Sequence, residues 1–409
     1  MLQKPHIVIV GGGFGGLYAA QHLKSASAQI TLIDRRNFHL FQPLLYQVAT
    51  GGLSPANIAA PLRAILKHHK NTDILLAEVT DIDPVQNRLS LNNGDELSFA
   101  HLIIATGASH NYFGSDHWEK FAPGLKSIED ATEIRRKILM AFEHAEQTEN
   151  KIQRQAYLRF IVIGGGPTGV ELAGAIGEIA HHTLKHNFRH IDPSEAEVIL
   201  IEASDRILQP YPPKLSEKAK KSLQDLGVTV LLNTRVTDIL EHSLSIQHNE
   251  EKTVLESKTI LWGAGIQASP LGRVLHEKTG VELDRVGRVL VNQNLAITNT
   301  PNIYVIGDLA HCKDKNGQTL PGTAPVAMQQ GKYLAQHLKR HLNNPEYQTP
   351  PFKYLDKGSM ATIGRSKAIA SLGSLHFSGG IAWLMWLFIH VIFLVEFENR
   401  IQVLLQWSW

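Results

Sequence analysis

The sequence predicts an α/β fold, two Rossmann-like domains followed by a small C-terminal helical region, and three observations carry it. "VIVGGGFGGLYAA", Val8 to Ala20, runs from a continuous apolar stretch through a glycine cluster into a helix-forming segment. "FIVIGGGPTGVELAG", Phe160 to Gly174, repeats that order. The chain closes on "GGIAWLMWLFIHVIFLVEFENRIQVLLQWSW", whose composition differs from everything before it.

His6 to Val10 reads as a parallel strand buried on both faces, because it is apolar without alternation and β-branched. A helix over Gly16 to Leu23 and a strand over Gln29 to Asp34 complete a βαβ unit, and "LIIATG", Leu102 to Gly107, adds another strand. A polar helical stretch covers Ile128 to Gln155, after which the pattern restarts at Phe160 with a second strand at "EVILIE", Glu197 to Glu202. "GVTVLLNTRVTDIL", "LSIQ" and "TILWGAG" continue that domain, "NIYVIGDLA" (Asn302 to Ala310) is a further strand, and a helix follows from Val326 to Leu342.

With 409 residues, the chain is long enough for two or three domains, and a net charge of +2 from 40 basic and 38 acidic residues gives no reason to expect nucleic acid. Cys312 is the single cysteine, which excludes an intrachain disulfide, a cysteine metal cluster and a CxxC redox pair, and points to an intracellular or cytoplasm-facing protein. "MLQKPHIVIVGG" enters a strand too early to accommodate a signal peptide.

In the spacing GxGxxG, the first glycine permits the tight turn, the second lets backbone approach a pyrophosphate, and the third lets helix and strand pack closely. Gly11, Gly13 and Gly16 fit it, and so do Gly164, Gly166 and Gly169. Asp34 and Glu202 end the strands that follow, where a carboxylate accepts hydrogen bonds from adenosine ribose hydroxyls and repels a 2′-phosphate. Glu202 therefore favours NADH over NADPH, an inference that Arg206 weakens a little. Two such sites in one chain suggest two different dinucleotides, one held and one exchanging.

Beyond a linker near Pro345, Ile381 to Val395 is apolar except for His390, yet at about 1.5 Å per residue it falls short of the ~30 Å hydrocarbon core. The expectation is a helix lying in one leaflet and a second interfacial helix after it, with Trp383, Trp386, Trp407 and Trp409 at headgroup depth. The alternative is a buried core or dimer-interface helix. His182, His186 and His190 recur every four residues, but no HExxH and no well-placed acid accompany them, so no metal site is expected.

Across "GGGFGG", "FQPLLYQVATG", "LIIATG", "GGGPTGVELAG", "NIYVIGD", "APVAMQQGKYLA", "DKGSMATIGR" and the tryptophan-rich tail, nearly the whole chain resembles the two-dinucleotide-binding-domain flavoproteins, and among them the type II NADH:quinone oxidoreductases. The resemblance implies a glutathione-reductase-like arrangement: a split FAD domain (1–115 and 290–344), an NADH domain (116–289) and a membrane-association domain (345–409). It places FAD on the first glycine site with Asp34, Thr106, Gly107 and Asp308, and NADH on the second with Glu202. "APVAMQQ" is similar to the family's quinone segment AQxAxQQ, keeping Gln329 and Gln330 but carrying Pro325 in place of the first glutamine. Ala327 and its small neighbours would let the flavin edge approach.

Glu171, at the start of the helix after the second glycine turn, is implied to lie near nicotinamide, flavin and quinone, either delivering a proton or placing the nicotinamide, or else serving helix-end electrostatics alone. Lys357, Gly358 and Met360 fall in a stretch the family places between membrane domain and flavin. The implied enzyme passes a hydride from NADH to FAD and two electrons to a membrane quinone without pumping protons. It is a homodimer, monotopic on the cytoplasmic face of the inner (cell) membrane, with the lipid surface as partner.

Sulfide:quinone oxidoreductases and disulfide reductases share the fold but need a cysteine pair that Cys312 alone does not supply. The remaining alternatives are a soluble NAD(P)H reductase of a ferredoxin-like carrier and a slow-turnover flavoprotein redox sensor.

Overall fold

His6–Val10 forms the centre of a six-stranded sheet because Ile7, Val8 and Ile9 are fully buried, as a strand covered on both faces must be. Its parallel neighbours are Gln29–Asp34, with Val8 opposite Thr31, and His101–Ile104, with Ile9 opposite Ile103. Thr72–Leu76 extends the sheet beyond the former, and Thr300–Val305 extends it beyond the latter, both in parallel. The short strand Ala296–Ile297 closes that second edge antiparallel.

The computed structural model describes residues 4–408; Trp409, the last of the tail tryptophans, lies outside the described residues. The chain divides into two compact units, one of Met1–Leu40, Ala59–Ser109 and Ile266–Leu355, the other of Phe41–Ile58, His110–Gly265 and Asp356–Trp409.

In the first unit, helices Phe14–His22 and Ala324–Asn343 pack side by side. The approach is close enough that a Cβ on Gly331 would overlap the carbonyl of Gly15. Pro325 stands in the first turn of the second helix, where its missing N–H costs nothing.

The second unit is built on a four-stranded parallel sheet, ordered Val228–Leu231, Glu197–Ile201, Arg159–Ile163 and Thr259–Trp262. Helix Pro167–Glu178 follows its third strand in that order and lies against the first strand of a small antiparallel sheet, Ser359–Ile363, Lys367–Leu372 and Leu375–Gly379. The tail helices Gly380–Phe393 and Phe397–Ser408 come last.

Several sequence expectations shift. Residues 266–289 belong to the first unit, since Leu271, Leu275, Val281 and Val289 share a core with Val8, Leu102 and Val305. Phe41–Ile58 belongs to the second, tied to the tail by Asn57 Nδ2 donating to Gln402 Oε1 at 2.9 Å. The C-terminal region packs within this unit rather than standing apart: Lys367 Nζ pairs with Asp225 at 2.8 Å and Arg365 N donates to Glu178 Oε1 at 2.9 Å.

The polar helix breaks into Ile128–Gln147 and Lys151–Leu158, the first opened by a Ser127–Asp130 capping box and the second by Asn150. The histidine run does not lie on one helix face. His182 sits in a π-helical turn, Ile179–Thr183, His186 has φ +68°, and His190 Nδ1 pairs with Glu146 at 2.9 Å.

Among the described residues, no helix is long and apolar enough to cross a membrane. Gly380–Phe393 nonetheless exposes a stripe of Ile381 (66%), Leu384 (59%), Phe388 (65%) and Ile392 (46%), spaced three and four apart. Its opposite face buries Trp386 at 2% exposure.

Candidate functional site

The two glycine turns share one construction. Gly11 (φ +104°) and Gly164 (φ +105°) take a backbone conformation that L side chains rarely adopt, each with backbone of a neighbouring strand end against it. A Cβ on Gly16 would overlap the Gly11 carbonyl, and one on Gly169 would overlap that of Gly164. Gly13 and Gly166 are different, because a Cβ there would meet nothing within 4 Å. Each is the N-cap of its helix and, having no side chain, leaves the positive end of that helix without a side-chain cap. That is an anion cradle suited to a pyrophosphate.

The acids are fixed in matching ways. Asp34 Oδ2 accepts from Gly12 N at 2.5 Å and its Oδ1 from Arg36 N at 2.6 Å. Glu202 Oε2 accepts from Gly165 N at 2.6 Å and its Oε1 from Ser204 N at 2.8 Å. Each carboxylate thus uses one lone pair per oxygen on backbone and keeps the others available to accept. Burial pushes the Asp34 carboxyl up from its ordinary range, against the two N–H donors and the charges of Arg35 and Arg36.

The other residues expected at the first cradle lie on loops at the carboxyl ends of parallel strands, the crevice where such sheets bind ligands. Thr106 follows His101–Ile104, and its Oγ1 is buried with no partner in the protein. Gly107 (φ +69°) faces open space. Asp308 lies in the turn Gly307–Leu309 after Thr300–Val305. An unpartnered buried hydroxyl, an uncapped helix and open glycine positions together fit a dinucleotide there.

Gln330 is 1% exposed, and its Oε1 accepts from Gly307 N at 2.7 Å, so it holds the Asp308 turn. Gln329 pairs with the backbone of Leu355, donating to its carbonyl and accepting from its N–H, both at 2.9 Å. Both amides are therefore engaged with backbone. Lys357 Nζ lies 5.7 Å from the Phe393 ring centroid, a cation–π contact with the tail helix.

In the second unit, Glu171 lines a pocket with Gln42, Leu45, Tyr46, Leu125, Lys126 and Thr168. Glu171 lies beyond the first turn of its helix, which contains no acid, so the macrodipole acts on it weakly. Burial pushes its carboxyl up to about 8, the Thr362 N–H acting in the opposite direction.

Sequence reasoning missed Tyr46 and Thr362, whose hydroxyls lie 3.0 Å apart beside this pocket. "FQPLLYQVATG" has no regular period, and nothing local marks Thr362 as its partner. Among the described residues, no group of three or more His, Cys, Asp or Glu side chains could hold a metal ion.

The pyridine nucleotide-disulphide oxidoreductase family model matches residues 5–331, and the NDH2 C-terminal domain model matches residues 357–409. The type II NADH:quinone oxidoreductase Ndh of Mycobacterium tuberculosis (strain ATCC 25618 / H37Rv) is 46% identical, over 99% of this chain and 88% of its own length. The chain belongs to the type II NADH:quinone oxidoreductases.

Among solved structures, NDH2 from Plasmodium falciparum in complex with NADH matches with a TM-score of 0.90, covering 99% of this chain and 98% of that one. At 23% identity it carries the fold. The sulfide:quinone oxidoreductase of Aquifex aeolicus shares the fold as well, with a TM-score of 0.77 at 18% identity over 97% of this chain and 91% of that one. As a type II NADH:quinone oxidoreductase, the chain is a flavoenzyme whose cofactors are FAD and NADH. Its one cysteine, Cys312, is buried and its thiol is pushed up to about 11 by burial, which suits a core residue rather than a redox pair.

Proposed function

We propose that the enzyme catalyses oxidation of NADH by a membrane quinone at the bilayer surface, with FAD on the Gly11–Gly16 cradle and NADH on the Gly164–Gly169 cradle. The observation that carries two dinucleotide sites is the duplicated turn, in which each acid is pinned by the N–H of the middle residue of its own GGG, and the family resemblance supports FAD on the first and NADH on the second. FAD, when bound, supplies the hydride acceptor and the two-electron relay.

The protein supplies binding, orientation and a proton. Gly13, Thr106, Gly107 and Asp308 line the FAD side, with Asp34 toward its ribose. Gln330 fixes the Asp308 turn and Gln329 fixes Leu355, so both glutamines shape the quinone side by holding backbone. Glu202 orients the NADH ribose and disfavours a 2′-phosphate there. With its carboxyl held up to about 8, Glu171 carries a proton at neutral pH and is placed to give it up during quinone reduction.

The stripe Ile381, Leu384, Phe388 and Ile392 supports a tail lying on the lipid surface. The family resemblance implies that the reaction is not coupled to proton pumping. The family resemblance also implies a homodimer on the cytoplasmic face.

The test compares the full chain with one ending before Gly379, both FAD-loaded, for sedimentation with lipid vesicles and for NADH oxidation by a membrane-bound quinone. Loss of sedimentation together with loss of that activity supports the reading. Unchanged attachment and turnover by the shortened chain overturn the tail as the element that holds the enzyme on the lipid surface.

A further inference from the structure

Gly12, the middle residue of the first glycine turn, is held at both ends. Its N–H donates to Asp34 Oδ2 at 2.5 Å, and its carbonyl accepts from His39 Nδ1 at 3.0 Å. The imidazole comes from the short strand Phe38–Leu40, where His39 stands opposite Ala60 in an antiparallel pair with Ala59–Pro61. It also meets the ring of Phe14 edge-on, with ring centroids 4.9 Å apart. Phe14 opens the helix that Gly13 caps, so His39 touches the residues on both sides of Gly13.

A carbonyl only accepts, so Nδ1 carries the imidazole proton and Nε2 is bare. The ring is 1% exposed and Nε2 has no partner among the described residues, which leaves no place for a second proton. Burial accordingly holds the imidazole below its ordinary pKa of 6.5, against the bond to Gly12. His39 is a neutral donor with one target.

In a trans peptide the carbonyl and the following N–H point in opposite directions, so the bond that fixes the Gly12 carbonyl also fixes the Gly13 N–H. Between two glycines no side chain opposes a flip of this peptide. A flip would put a carbonyl oxygen where the N–H now stands and reverse the dipole offered to an anion there.

The second turn meets the same need by other means. Gly165 N donates to Glu202 Oε2 at 2.6 Å, as its counterpart does to Asp34, but the Gly165 carbonyl accepts from the backbone N–H of Leu208 at 2.7 Å. Leu208 has φ +51°, in the left-handed region that a leucine rarely occupies. One side chain and one unusual backbone conformation thus fix the same peptide in two separate turns.

We propose that His39 is a positioning residue for FAD, its Nδ1–H keeping the Gly12–Gly13 peptide turned with its N–H toward the cofactor's pyrophosphate. The first dinucleotide then depends on a side chain where the second depends on backbone alone. This rests on the reading that places FAD on the Gly11–Gly16 cradle.

The test is the rate at which the FAD-loaded full chain in detergent releases flavin on dilution, followed by flavin fluorescence, beside the KM for NADH with excess FAD present. His39→Phe keeps a ring against Phe14 and removes the donor. His39→Asn removes the ring and keeps an N–H at the position of Nδ1. The Phe chain should release FAD about 10- to 100-fold faster than wild type with its KM for NADH unchanged, and the Asn chain should release it at close to the wild-type rate. Release from the Phe chain as slow as wild type, or from the Asn chain as fast as from the Phe chain, overturns the role of His39 alone. A raised KM for NADH in the Phe chain with unchanged flavin release overturns the assignment of FAD to this cradle. If circular dichroism shows the Phe chain unfolded, the Asn chain decides: wild-type release supports the donor, and faster release overturns it.

Discussion

Glu202 Oε2 accepts the backbone N–H of Gly165 at 2.6 Å, so the acid proposed to read the nucleotide ribose is fixed by the turn proposed to receive its pyrophosphate. On that proposal, recognition of the two groups is coupled within one loop. Glu202→Gln should raise the KM for NADH roughly 10- to 100-fold, the loss of about 1.5–3 kcal/mol of charge-assisted hydrogen bonding. It should also narrow the preference over NADPH, and the ratio of kcat/KM for the two nucleotides measures this.

The glycines separate ligand binding from folding. Gly13→Ala adds a methyl where the protein has no atom within 4 Å, so thermal stability should stay within about 1 kcal/mol of wild type while bound flavin, read from the visible absorbance of purified protein, falls sharply. Gly16→Ala places the methyl on the Gly11 carbonyl and should lower both. A Gly166→Ala chain should retain flavin and lose its bleaching by NADH, since the change touches only the second cradle.

This asymmetry also explains what could be read before the structure. A dinucleotide cradle is a local device: strand, glycines and helix lie within about fifteen residues, and each glycine answers to a backbone requirement that no other residue meets. Gly11 to Gly16 and Gly164 to Gly169 were therefore legible, as were their acids and the apolar tail. The Glu171 pocket was only half legible. Tyr46 and Thr362 are 316 positions apart in the chain and meet only after folding. The antiparallel strands from Ser359 to Gly379 carry no alternation strong enough to mark them, so the sequence of the tail unit marks only its helices.

Burial of Glu171 has a signature in stability. Its folded carboxyl titrates near 8 against an ordinary 4.5, so the folded chain holds the proton more tightly than the unfolded chain. The group's contribution to stability is whole below about 4.5 and is lost as pH rises through 8. Glu171→Gln, permanently neutral, should melt at a higher temperature than wild type at pH 9 by a few degrees. Equal melting of the two proteins across pH 5 to 9 would remove the buried-acid account.

His101 supplies the opposite slope. Burial, with His341 and His337 close by, holds its ring down to about 4 against an ordinary 6.5. Its contribution is whole above about 6.5 and is lost as pH falls toward 4. His101→Leu should flatten the fall in melting temperature between pH 6.5 and 4.5, measured by circular dichroism. An acid limb as steep as that of wild type would place the sensitivity elsewhere.

The most direct measurement is the initial rate of NADH oxidation by the FAD-loaded full chain in lipid vesicles, with and without a membrane quinone, beside the same assay with NADPH. The account predicts fast oxidation of NADH that depends on the quinone, and much slower oxidation of NADPH. Flavin reduced by NADH and not reoxidised faster by any quinone would contradict it.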